Sequence, residues 1–353
     1  MPDSSTRTPP LRKRSGFTLV ELMLSMAIFA IIIVALASII GQAQQTYLTV
    51  NRTADQFRSA RLAFELMTSR LEQATLNTFW DYDDLDKPTK YVRQSDLHFV
   101  SGPVADIVTE GDSVLHAVFF QAPIGLTETR GTPEDPYEGM ETLLNSWGYY
   151  LDFGSDKERW PPFLRGIDGI NDNPRWRLME FRRPSEDLGI YGLRLRPQQD
   201  RDTLNSWINK DLAANSQPIA DNIVALVIQP RKFAREDDQS AGIEIAPNFL
   251  YDSREFEWGS VGGDRFSRVG QSRNQLPPML DVIMVAVAEA SIGRLERSQG
   301  ADAMKDVIPE GLFEDSRDLE EDVRTMEDAL EKAKLDYEIF SNTILIRGAK
   351  WSS

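Results

Sequence analysis

Few residues in this chain are placed to do chemistry, and one of them stands where a charge is costly. Glu21 is the single charge in the apolar run from Phe17 to Ile40, and Arg12, Lys13 and Arg14 lie directly before that run. A carboxylate within an apolar span costs on the order of 2.5 kcal/mol or more to place in lipid, so it calls for a partner and a purpose. Asp81, Asp83, Asp84 and Asp86 crowd one short stretch, and Asp168 to Asn173 forms a second acidic run. Calcium takes roughly six to eight oxygen ligands, which such runs can supply. The first run lacks the central Gly and distal Glu of a helix–loop–helix calcium loop, and the second has its Gly misplaced. A solvated turn is the favoured reading for both.

His98 and His116 fall far apart in strand-like runs without a ligand cluster, the pattern of packed sheet histidines. Cysteine is absent, which excludes thiol nucleophiles, disulfides and cysteine-based zinc sites. No Gly-x-Ser-x-Gly, His-Glu-x-x-His or phosphate-loop pattern occurs. Neither an enzyme nor a cofactor is expected. Trp147, Tyr149, Tyr150, Trp160 and Trp176 could stack on a carbohydrate, with core packing as the simpler expectation. The chain has 353 residues and a net charge of −16, with 41% hydrophobic and 27% charged residues. That is an ordinary globular composition. So acidic a chain is a poor binder of nucleic acid, which depends on Lys and Arg to neutralise phosphates.

The element that must position Glu21 is a helix. From Phe17 to Ile40 it would be roughly 36 Å long at about 1.5 Å per residue, enough to cross a bilayer core of about 30 Å. The basic cluster before it predicts a cytoplasmic N-terminus, with everything after Ile40 on the far side. A secretory signal peptide cleaved at Gly41-Gln42-Ala43 and a plain signal anchor are the alternatives, and neither gives Glu21 a reason to exist. Because Glu21 lies near the start of the span, a carboxylate reaching back to the interface is a lesser alternative reading of it.

Beyond the span, Val50, Ala54, Phe57, Ala60, Phe64, Met67, Leu71 and Ala74 recur at steps of three and four. This predicts an amphipathic continuation that ends around Asn77 to Trp80, to pack on a sheet or form a coiled-coil stem. Strands are expected at Leu97–Val100, Ser113–Gln121, Trp147–Phe153, Arg175–Phe181, Asn222–Gln229, Met279–Ala288 and Tyr337–Arg347, and a helix across Leu319–Ala333. Polar insertions separate them at Gly125–Glu141, Ser155–Asn173 and Arg231–Gln275, the last with disordered parts. The fold class is α+β: a long N-terminal helix on an antiparallel sheet head.

Gly16-Phe17-Thr18-Leu19-Val20-Glu21, with its basic leader and long apolar helix, resembles the N-terminus of type IV prepilins and type II secretion pseudopilins. The resemblance implies cleavage between Gly16 and Phe17 by a prepilin peptidase, with Thr18 helping to set the cleavage geometry and N-methylation of Phe17. It implies that Glu21, fifth in the mature chain, attracts the Phe17 amine of a neighbouring subunit. It also implies a division into a leader over 1–16, a transmembrane helix over 17–40, its amphipathic continuation over 41–80 and a pilin-like head over 81–353. The partners would be the inner membrane, the peptidase and other pilin or pseudopilin subunits. The expected place is the bacterial inner membrane, single-pass, with the head in the periplasm, in a pilus or pseudopilus. The size and the missing disulfide point to a minor subunit.

A narrower likeness rests on Leu276-Pro277-Pro278-Met279-Leu280-Asp281-Val282, the acidic helix after it, and Phe340 to Trp351. These stretches resemble protein C of the Verru_Chthon cassettes, and the layout is loosely similar to the J-type minor pseudopilins. The alternative function is an adhesin or carbohydrate-binding head, membrane-anchored or carried on a pilus.

Overall fold

Helix α1 runs unbroken from Leu19 to Leu71. Ala, Leu, Met and Ile dominate its first part, no Pro interrupts it, and Thr18 precedes it as an N-cap. The computed structural model describes residues 18–82, 86–89, 91–109, 115–129, 136–155, 157, 161, 163, 167, 174–191, 203, 205–232, 245–254 and 274–350. The chain divides into two compact units, one ending at Arg52 and the other beginning at Thr53.

In the second unit, α1 buries Ala60, Ala63, Phe64, Met67 and Leu71, a stripe at helical spacing. The stripe starts later than the sequence suggests, since Val50 and Ala54 are exposed and Phe57 is half-buried. The helix also stops earlier than the expected Asn77–Trp80. Gln73 and Ala74 close tight turns onto Arg70 and Leu71, and the Thr75 N–H then donates to the Gln121 carbonyl at 2.9 Å. A strand partner takes the donor that would have continued the helix, and Phe79–Tyr82 becomes a strand instead.

Among the described residues eleven strands follow α1 in chain order: β1 (Phe79–Tyr82), β2 (Tyr91–Gln94), β3 (Val100–Pro103), β4 (His116–Pro123), β5 (Leu144–Gly154), β6 (Arg175–Arg183), β7 (Ser216–Asp221), β8 (Ile223–Arg231), β9 (Tyr251–Asp252), β10 (Met279–Val287) and β11 (Tyr337–Leu345). They form an antiparallel six-stranded sheet in the order β7-β6-β5-β4-β3-β9, a three-stranded sheet β11-β10-β8 and a β1-β2 ribbon. Helix α2 (Glu289–Gln299) follows β10, and helix α3 (Leu319–Lys332) precedes β11.

The six-stranded sheet is buried on both faces. Val118, Phe120, Trp147, Tyr149, Leu151 and Leu178 share one core with α1, β8, β10, α2 and α3. Ala117, Phe119, Tyr150, Met179 and Phe181 point the other way, into a second core with Val104, Ile107, Trp207 and Ile208. Double burial is why β4 reads as a continuous apolar run rather than an alternating one. The chain passes from one sheet to the other through a single residue. Asn222, at φ 60°, sits between β7 and β8, donates its N–H to the Trp176 carbonyl at 2.8 Å and accepts from Val287 at 2.9 Å. Asn is among the few side chains that tolerate this left-handed conformation.

The stretch Arg231–Gln275, read as a polar insertion, supplies Ile245, Ala246, Phe249 and Tyr251 to the core, and Tyr251–Asp252 forms β9. Strand β3 begins at Val100, where the expected Leu97–Val100 strand was to end.

Gly148 of β5 faces Phe119 of β4, and a Cβ there would meet the Phe119 ring at 2.1 Å. Gly148→Ala is therefore expected to destabilise the head by about 3 kcal/mol through overpacking. Urea unfolding of the detergent-solubilised protein measures it, and an unchanged midpoint would show that Phe119 has room to move.

Candidate functional site

The start of α1 is a reciprocal cap. The Thr18 N–H and its hydroxyl each donate to Glu21 Oε2 at 3.0 Å, and the Glu21 N–H donates to Thr18 Oγ1 at 3.3 Å. Thr-x-x-Glu at a helix N-terminus is a capping box, in which two backbone donors left without helical partners are satisfied by side chains. Sequence reasoning assigned Thr18 and Glu21 to processing and assembly; the pair also fixes where the helix begins. The signal was readable in the Thr18–Glu21 spacing. Gly16, Phe17, Arg12, Lys13 and Arg14 lie outside the described residues.

The span that follows is apolar all round. Its most apolar stretch has a mean hydropathy of 2.8, none of it buried within the chain, and α1 is long and apolar enough to cross a membrane. Leu22, Met26, Phe29, Ile33, Leu36 and Ile40 are among the large side chains it leaves bare. A helix hydrophobic on every side needs lipid or other apolar helices around it.

The head holds the remaining candidates. Asp81 sits on β1 and accepts from the Tyr82 N–H at 2.8 Å, Asp86 is exposed beyond that strand, and Asp83 and Asp84 lie outside the described residues, as does Asp168–Asn173. Asp81 and Tyr82, read as the start of a loop, are thus the end of strand β1. Among the described residues, no three or more Asp, Glu or His side chains are grouped to hold a metal ion.

Both histidines are fully buried. The Trp207 Nε1–H donates to His98 Nδ1 at 3.1 Å. An indole N–H can only donate, so the ring proton is on Nε2, 2.6 Å from Asp252 Oδ1. This pair joins residues 154 positions apart and ties β9 to the start of β3. His116 Nδ1 accepts from the Ile228 N–H at 2.9 Å, and Nε2 faces the Phe313 carbonyl at 3.5 Å. Both rings serve as rivets between segments.

Of the five candidate stacking aromatics, Trp147, Tyr149 and Tyr150 are buried, Trp176 is half-buried with its Nε1–H on the Met304 carbonyl, and Trp160 lies outside the described residues. The four described ones form no exposed platform. Exposed aromatics lie instead on the β1-β2 ribbon, where Tyr82 and Tyr91 stack at 4.4 Å and the Arg93 guanidinium lies 5.7 Å from the Trp80 ring. The two stretches of the narrower likeness, remote in sequence, become the neighbouring strands β10 and β11.

Residues 11–37 match the family model described as the prokaryotic N-terminal methylation motif. The chain carries a prepilin-type N-terminus. The match covers the basic cluster before the span, the capping box and most of the apolar span. It supports a pilin- or pseudopilin-like, membrane-anchored structural subunit, rather than an enzyme, and implies prepilin peptidase processing and assembly with other pilins. No curated protein and no solved structure matches the chain.

Burial pushes the His116 pKa down to about 4 from the ordinary 6.5, against the opposing pull of its bonds to Phe313 and Ile228. The folded ring stays neutral while the unfolded one takes a proton, so stability falls as pH drops from about 6.5 to about 4, by on the order of 3 kcal/mol from this group. His116→Asn, which keeps an acceptor for Ile228, should be less stable at pH 7 but lose less on acidification. Denaturation midpoints across that window measure both slopes, and equal slopes would place the acid sensitivity elsewhere.

Proposed function

We propose that this chain is a minor, large-headed prepilin-like subunit of a type IV pilus or type II secretion pseudopilus. Prepilin peptidase cleaves it between Gly16 and Phe17, and Phe17 is then N-methylated. The observation that carries the reading is the coincidence of three features at one point. The methylation-motif match begins in the basic leader, the helix is capped at Thr18, and the apolar span opens there. Cleavage before Phe17 would leave a mature chain whose second residue is the N-cap, so a new amine would sit within a turn of Glu21.

In this reading residues 1–16 are the leader and 17–40 the inner-membrane anchor. The rest of α1 and the head project into the periplasm. Arg12, Lys13 and Arg14 hold the leader on the cytoplasmic side. Glu21 holds the Thr18 donors before assembly and receives the Phe17 amine of a neighbouring subunit in the filament, where each charge neutralises the other. The size of the head and the absence of cysteine favour a minor subunit over a major one, and the likeness of the β10 and β11 stretches to protein C of the Verru_Chthon cassettes bears on the architecture.

Mass spectrometry of the membrane-extracted native protein tests the processing. The expected N-terminus is methylated Phe17. A start at Met1 or Pro2 would mean a simple anchor, and a start near Gln44 a secreted domain. Glu21→Gln separates the two roles of Glu21, since a glutamine completes a capping box without charge. It should leave membrane insertion and processing intact and abolish filament incorporation, scored by crosslinking to filament subunits. Thr18→Ala should cost the helix start about 1 kcal/mol and leave incorporation detectable.

A further inference from the structure

The chain blunts the edges of its six-stranded sheet and leaves one edge of the three-stranded sheet open. Strand β9 is two residues long, and β7 carries Pro218 and a register shift opposite Leu178 and Met179. Short strands, prolines and bulges at an edge prevent another strand from adding there. Strand β11 has none of these. It is nine residues long, contains neither Pro nor Lys, has Glu338 as its one charge, and among the described residues has β10 as its one strand neighbour.

Hydrogen-bond parity shows which backbone groups are left over. On the two sides of the β10-β11 ladder, the Ala288 N–H donates to the Asp336 carbonyl at 2.8 Å and the Ile346 N–H to the Pro278 carbonyl at 3.1 Å. The ladder between them has no register shift. Bonded and non-bonded positions alternate along an antiparallel pair. Glu338, Phe340, Asn342 and Ile344 therefore direct their backbone groups at β10. Tyr337, Ile339, Ser341, Thr343 and Leu345 direct theirs outward. Ser341, Asn342, Thr343 and Leu345 are exposed, so the middle and far end of this row are open to an incoming strand.

The two ends of the row also differ in charge. Glu327, Asp328 and Glu331 of α3 lie close enough to Tyr337 to act on its hydroxyl, whereas Arg347 and Lys350 follow the other end. An incoming strand with a cation beside Tyr337 would be held in register by charge as well as by the ladder.

We propose that the outer edge of β11 is a strand-addition site whose occupant is an extended segment of another protein chain. That segment is free of Pro, rich in β-branched residues, and carries Lys or Arg at the end lying beside Tyr337. Main-chain bonds to the outward row supply the affinity, and the acidic face of α3 selects the basic end. This inference does not depend on the fate of α1.

The test uses the full-length protein in detergent and a fluorescent peptide of alternating Thr and Val ending in two C-terminal lysines, for antiparallel addition. Anisotropy should show saturable binding that Ser341→Pro weakens at least about tenfold. The Ser341 N–H points outward, so this proline leaves the β10 ladder intact, and an unchanged melting temperature checks that it does. Glu327→Lys with Glu331→Lys, which leaves β11 untouched, should weaken binding several-fold at low salt. Three results would overturn the proposal: no saturable binding, equal binding by Ser341→Pro, or a wild-type dimer that Ser341→Pro converts to monomer. The last would make a second copy the occupant.

Discussion

Glu180 sits on β6 with 3% of its side chain exposed, and it receives Arg70 from α1. The Trp147 Nε1–H and Tyr149 hydroxyl donate to the same carboxylate at 3.1 Å each, and Gln217 donates to its other oxygen at 3.2 Å. The Arg70 guanidinium also lies over the Trp147 ring at 4.3 Å. A buried carboxylate is tolerable only when its lone pairs are taken up, and here donors from α1, β5 and β7 converge on it. Hydrophobic contact between a helix and a sheet permits sliding. This network specifies one register of α1 against the sheet, and the Ala60–Leu71 stripe then falls over the core. Burial pushes the Tyr149 hydroxyl well above its ordinary range, with Glu180 adding to the effect, so it stays a neutral donor.

The same helix serves two solvents. From Leu22 to Ile40 it is bare and apolar on all sides, whereas in the second unit its buried side chains form one stripe and Arg58 and Arg61 face water. The change occurs without a break in the backbone, so a single element has to satisfy lipid-facing and sheet-facing requirements in sequence. The capping box at Thr18 and the Gln56 amide mark the two regimes. Gln56 donates to the Val287 carbonyl at 2.8 Å and accepts from the Glu289 N–H at 2.9 Å, which fixes α1 where β10 gives way to α2.

What could be read from the sequence follows from how local each determinant is. Strands β4 and β8 declare themselves because burial on both faces demands nearly continuous apolar runs, and β10 through the apolar run of its buried second half. Helix α3 does so because its acidic start and basic end match its dipole. The end of α1 was not legible, because a carbonyl of β4 settles it by capturing the Thr75 N–H. Strand β9 was not legible, because two residues carry no periodicity and Tyr251 and Asp252 owe their place to Phe99 and His98. Helix α2 offers only Ile292 and Leu295 as a buried pattern, with Gly293 between them. At the N-terminus the apolar span and the carboxylate were plain. The local role of Glu21 as a helix cap was equally local in sequence, but a reading centred on assembly passed over it.

The wide separation of the partners sets an order of events during synthesis. Gln56 meets Glu289 across 233 positions, and Glu72 meets Arg347 across 275. The apolar stripe of α1 leaves the ribosome long before Phe340, which covers Phe64 at 5.9 Å. Folds dominated by such distant pairings close slowly, because the entropy of the intervening loop must be overcome first. Until β11 arrives, Phe64 lacks the ring that covers it. Anchorage of the first helix in a membrane would keep that half-made surface away from other nascent chains for as long as the wait lasts.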